Sequence, residues 1–154
     1  MIQRTCRGKN KNKGWIYGYY VKANRHWCKK RVQEDWIITS AFQKGGIFAI
    51  MGRFPVIPET VGYYTQLQDI NNIDIYEGDI VKDRKNHIGY IEFLPEKGGF
   101  AIVYKTHAVR LQYIIKFGNT HFETNVEVIG NIYDNPELLA KQYEVISSNT
   151  IKKL

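Results

Sequence analysis

Residues 62–81 read GYYTQLQDINNIDIYEGDIV. The segment concentrates tyrosine, aspartate, asparagine and glycine and ends in a short apolar run, so it is either a metal loop or a turn that enters a strand. A calcium loop of the EF-hand kind needs oxygen ligands at its first, third and fifth positions, a glycine at the sixth and a glutamate at the twelfth. Counted from Asp69, those last three positions hold Ile73, Asp74 and Ile80, and the metal reading fails. The turn reading fits better. Asp69, Asn71 and Asn72 tolerate left-handed backbone and bond their own main chain. Gly78 permits a backbone angle that a side chain forbids. The Asp79 carboxylate can accept amide protons across the turn, and Ile80-Val81 then lead into a strand.

Working outward, the pattern is that of short strands. Trp15, Tyr17, Tyr19 and Val21 alternate with Ile16, Gly18 and Tyr20, a period of two rich in aromatics. Residues 26–31 read as its return strand, with residues 23–25 as the turn. Residues 36–39 and 47–51 are strand candidates around Lys44-Gly45-Gly46. Pro55 and Pro58 bracket an extended edge segment or connection, because proline cannot donate to a ladder. Residues 79–82, 88–93, 100–104, 109–115 and 126–133 also read as strands, with turns at Asn86 and Lys97-Gly98-Gly99. Pro136 opens a short helix with Asn135 as its N-cap. The expectation is a mainly β protein. A basic, aromatic-rich β-unit spans 1–57, a small SH3-like barrel with a short C-terminal helix spans 58–146, and residues 147–154 form a tail.

Several spaced motifs carry a family resemblance. Gly14-Trp15-Ile16-Tyr17-Gly18-Tyr19, then Pro58-Glu59-Thr60-Val61-Gly62, then the segment through Asp83, and finally VIGNIYDNPELL at residues 128–139 follow in order. Together they resemble the YopX family of phage and prophage proteins over about residues 7–140. The resemblance implies a β-rich, SH3-like fold and an origin in a mobile element, and it carries over no catalytic residue. The chain departs from the family pattern at Gln66 and Asn72, where glycine is usual, and at Gln68, where lysine is usual. At Gln66 and Asn72 the backbone is expected to be reshaped or slightly strained.

The 154 residues are 44% hydrophobic and 24% charged, which suits one domain or two small ones. No apolar run approaches the roughly 20 residues needed to cross a bilayer, and the N-terminus has no apolar signal core. Together with only two cysteines, Cys6 and Cys28, this points to a soluble intracellular protein, and the family resemblance implies the cytoplasm of a bacterial host cell. The net charge of +7 is uneven. Residues 1–36 hold ten basic and two acidic groups, whereas residues 37–154 hold twelve basic and thirteen acidic ones. Such asymmetry suits an anionic partner. Lys22, Arg25, Lys29, Lys30 and Arg31, interleaved with Tyr20 and Trp27, are the candidate nucleic-acid-binding residues, since single strands bind where bases stack on aromatics beside cations. The competing reading is a solvated basic face over an aromatic core, and exposed rings equally suit self-association.

His26, Cys28 and Cys6 lack the paired spacing of a structural zinc site. No nucleophile elbow or phosphate loop is present. No metal, cofactor, catalytic residue or small-molecule substrate is therefore assigned. The expected function is a non-enzymatic binding or interaction module that self-associates. A nucleic-acid-binding module is one alternative, and a small hydrolase using the carboxylates of residues 69–79 is another.

Overall fold

The computed structural model describes residues 6–22, 35–42, 49–112 and 124–140. The chain is mainly β and divides into two compact units, residues 1–64 and 65–154. The return strand at residues 26–31 and its turn lie outside the described residues, as do residues 113–115 and the tail.

In the first unit, β1 (Cys6–Asn10) and β2 (Gly14–Val21) form an antiparallel hairpin, and β3 (Asp35–Phe42) and β4 (Ala49–Val56) extend it. β1 also pairs with the start of β5 (Gly62–Gln68), giving the order β4-β3-β2-β1-β5. The hairpin turn is built by Asn10, whose Oδ1 accepts from the Asn12 and Lys13 amides, both at 2.9 Å. Pro55 lies in β4, the outermost strand, where a missing N–H costs no ladder bond. The core is small. Cys6, Ile37 and Val56 are buried, and Ile16, Tyr20 and Val61 pack against them. One face of the β2 alternation thus meets the core, while Tyr19 and Val21 on the other face stay exposed. The stretch around Pro58 belongs to this unit because it is tied to β1. The Ile57 amide donates to the Lys9 carbonyl at 2.9 Å, and Thr60 Oγ1 accepts from the Lys9 amide at 2.8 Å.

The second unit contains the rest of β5 together with β6 (Asp74–Tyr76), β7 (Asp79–Asp83), β8 (Ile88–Leu94), β9 (Gly99–Val103), β10 (Ala108–Arg110) and β11 (Val126–Asn131). Five of these form an antiparallel sheet ordered β10-β9-β8-β7-β11. Its core is Leu67, Ile75, Val81, Ile91, Ile102, Leu111 and Val126, with Phe100, Tyr104 and Val128 at the rim. Burying such a side chain is worth about 1.5–3 kcal/mol, so this cluster dominates the unit's stability.

Three expectations need correction. The second unit is not a closed barrel. Among the described residues the strand order runs from β10 to β11 without β10 and β11 pairing, and the outer side of β11 is met instead by residues 68–70, through the Ile70 amide to the Val126 carbonyl at 3.0 Å and the Thr124 amide to the Gln68 carbonyl at 2.9 Å. The strand read as 126–133 stops at Asn131, because Asn131 Oδ1 accepts from the Tyr133 and Asp134 amides and turns the chain. Residues 137–140 are helical, but the Asn135 side chain does not point into the first turn. Its Oδ1 accepts backward from the Asn131 amide at 3.3 Å, and its carbonyl accepts from Leu138.

Candidate functional site

The segment at 62–81 is built around two buried carboxylates. Asp69 is 0% exposed and accepts three main-chain amides. Its Oδ1 takes Asn71 at 2.7 Å and Ile73 at 2.9 Å, and its Oδ2 takes Val128 at 2.9 Å. Val128 sits where the β11–β7 register shifts, and Asp69 takes its amide on the side of β11 where Val126 and Thr124 also bond residues 68–70. Asp79 is 1% exposed, and its Oδ2 accepts the Tyr76 amide at 2.7 Å. Gly78 stands at φ +83, donates its amide to the Ile91 carbonyl and accepts from the Ile132 amide. These residues tie main chain to main chain, which is the work of a turn.

Gln66 and Asn72 sit at φ +65 and +62. Both residues therefore hold a left-handed backbone that glycine adopts freely, and the slight strain expected at these two positions is present. Asn72 tolerates it, since asparagine is enriched there, and Gln66 does so less readily. Thr65 helps hold the distortion, with its Oγ1 donating to the Ile75 carbonyl at 2.9 Å and accepting the Leu67 amide at 3.2 Å.

Of the candidate nucleic-acid-binding residues, Lys22 is exposed. Tyr20 packs against the first unit's core and donates its hydroxyl to Asp35 Oδ2. Burial, and then that carboxylate, push its pKa up to about 12. The ring of β2 that faces solvent is Tyr19, not Tyr20. Arg25, Trp27, Lys29, Lys30 and Arg31 lie outside the described residues. Two nearby cations are occupied by rings: the Arg7 guanidinium lies 4.6 Å from the centroid of Trp15, and Lys13 Nζ lies 4.6 Å from that of Phe54.

The structure also assembles a group that sequence spacing did not bring together. His87 and His107 are isolated along the chain, yet both meet Tyr104. Its ring stacks on His107 at 5.1 Å and meets His87 edge-on at 6.3 Å. Asp83 anchors the set. Its Oδ1 accepts the Lys85 and His87 amides at 2.8 and 2.9 Å, and its Oδ2 lies 3.0 Å from His87 Nδ1 and 3.5 Å from the Tyr104 hydroxyl. Burial alone would raise the Asp83 pKa, but the amides and the His87 ring outweigh it and hold the carboxyl below its ordinary value. The Tyr104 hydroxyl is pushed up to about 12, first by burial and then by Asp83. The sequence signal for this group was no more than the hairpin spacing between β7 and β10. Among the described residues no three His, Cys, Asp or Glu side chains come together in a way that would hold a metal ion. No helix there is long and apolar enough to cross a membrane.

A solved structure, protein EF1440 from Enterococcus faecalis, is similar over 90% of this chain and 99% of that one, at 18% identity and a TM-score of 0.48. A likeness that distant says nothing about function. No curated protein matches the chain. The model of the YopX protein family matches residues 7–140, which takes in both units and the two carboxylate-built turns, and the chain belongs to that family.

Proposed function

We propose that this is a non-enzymatic interaction module of phage or prophage origin, built on an open SH3-like sheet and an added N-terminal β-unit, and that it self-associates. The observation carrying this reading is the number of large apolar side chains left at the surface. Tyr63 and Phe93 are each 50% exposed, and Ile70, Ile73, Tyr19 and Val21 are exposed as well. Surface of this kind is covered when chains associate. The hydrolase alternative loses support from the way its carboxylates are used. Asp69 and Asp79 bond main-chain amides, Asp74 accepts from the Gln68 side chain and Glu77 accepts from the Phe93 amide. A general acid or base must instead reach a reacting atom.

The test is sedimentation equilibrium of the full chain across a wide concentration range at low and high salt. A stable dimer or higher oligomer that persists in high salt is expected, because apolar contacts are not screened. A monomer at every concentration would sink the self-association reading.

A further inference from the structure

The antiparallel order β10-β9-β8-β7 places the β7–β8 and β9–β10 turns at the same end of the second sheet. One turn carries Arg84-Lys85-Asn86-His87 and the other Tyr104-Lys105-Thr106-His107. The residues of both turns other than Tyr104 are exposed. Within residues 83–87 and 104–107 the one acidic residue is Asp83, and it is engaged by two amides, an imidazole and a phenol. With the histidines neutral, residues 83–87 and 104–107 hold three cations against that one anion. This local excess sits within residues 37–154, whose total is −1. Tyr104 meets His87 of the first turn and His107 of its own, and each imidazole is steadied through Nδ1: His87 by Asp83 at 3.0 Å and His107 by Thr106 Oγ1 at 2.9 Å.

We infer that these two turns form a binding site for single-stranded nucleic acid. Arg84 and Lys85 would take backbone phosphates, and the outer face of His107 would take a base. Cations beside a stacking ring match the two chemical parts of a nucleotide strand. An acidic peptide would use the charge but has no use for the ring platform. Inner packing against the sheet's core fixes Tyr104, and through it the platform, so little ordering is left for the moment of binding. None of its residues belongs to the basic segment of residues 1–36, and binding there does not require self-association.

The experiment is fluorescence anisotropy of labelled oligo-dT and oligo-U with the full chain at several salt concentrations. Micromolar or tighter binding is expected. The exposed double variant R84E/K85E should bind at least tenfold more weakly. Its dependence of log affinity on log salt should be shallower by about 1.4, since each phosphate contact on a single strand contributes roughly 0.7. The milder R84Q/K85Q should move in the same direction. His107→Ala should weaken binding roughly five-fold or more with the salt slope unchanged, and His107→Trp should restore it. The inference is overturned if the native chain does not bind, or if the R84E/K85E chain is folded by circular dichroism and binds normally. It is equally overturned if only charge reversal at Lys29, Lys30 and Arg31 abolishes binding, or if polyglutamate competes as well as oligo-dT.

Discussion

Replacing Asp69 with asparagine changes one atom and reverses one hydrogen bond. The carboxamide would keep an oxygen for the Asn71 and Ile73 amides, but its NH2 would face the Val128 amide where Oδ2 now accepts at 2.9 Å. A charge-assisted bond worth about 1.5–3 kcal/mol is lost, and a buried amide is left against another donor at a further cost of about 1–3 kcal/mol. Removing a fully buried charge returns part of its desolvation cost. The net loss should be about 2–3 kcal/mol. Asp69→Ala leaves all three amides without an acceptor and should cost about 4–6 kcal/mol, a large share of the roughly 5–15 kcal/mol that holds a domain together. For a chain of this size each kcal/mol lowers Tm by about 2–4 °C. All three tryptophans lie in residues 1–36, so their fluorescence reports on the other unit. Urea unfolding followed by far-ultraviolet circular dichroism, with amide hydrogen exchange read at Asn71, Ile73 and Val128, is the appropriate assay. Loss of protection should be largest at Val128 in the asparagine variant. The reasoning fails if Asp69→Asn costs less than about 0.5 kcal/mol and Val128 stays as protected as before.

Gln66→Gly should raise stability by about 0.5–1 kcal/mol, because relief of left-handed strain exceeds the entropy that glycine adds to the unfolded chain; a fall in the urea midpoint would contradict this. Tyr20 and Tyr104 should ionise near pH 12 in a spectrophotometric titration of the folded chain. Unfolded tyrosine ionises near 10. The stability these two groups contribute is therefore complete below about pH 10 and is lost as pH rises through about 12. A single titration of all tyrosines near 10 would refute the burial argument.

The parts of the fold that could be read along the chain were those with local causes. The aromatic alternation of Trp15 to Val21 marks β2, because a strand's side chains alternate between faces. Asp69, Asn72, Gly78 and Asp79 announce turns, because short polar side chains and glycine satisfy a bent backbone within a few residues. β1 was not legible. CRGKN is polar, and it becomes a buried strand only because β2 and β5 hydrogen-bond to it on either side. That β10 and β11 do not pair to close the sheet was not legible either, since closure depends on pairing between distant strands. Nor was the meeting of Asp83, His87, Tyr104 and His107, which lie up to 24 residues apart.

What this sequence determined by itself is therefore a β protein with carboxylate-built turns and a basic N-terminal segment. Those features come from residue type, period and charge, which act over a few positions. Tertiary structure alone decided which face of β2 is core, that Asp69 accepts the Val128 amide 59 residues away, and that two hairpin tips meet at one aromatic ring. Each of these depends on groups brought within a few ångströms by strand order and register, and no local rule encodes such distances.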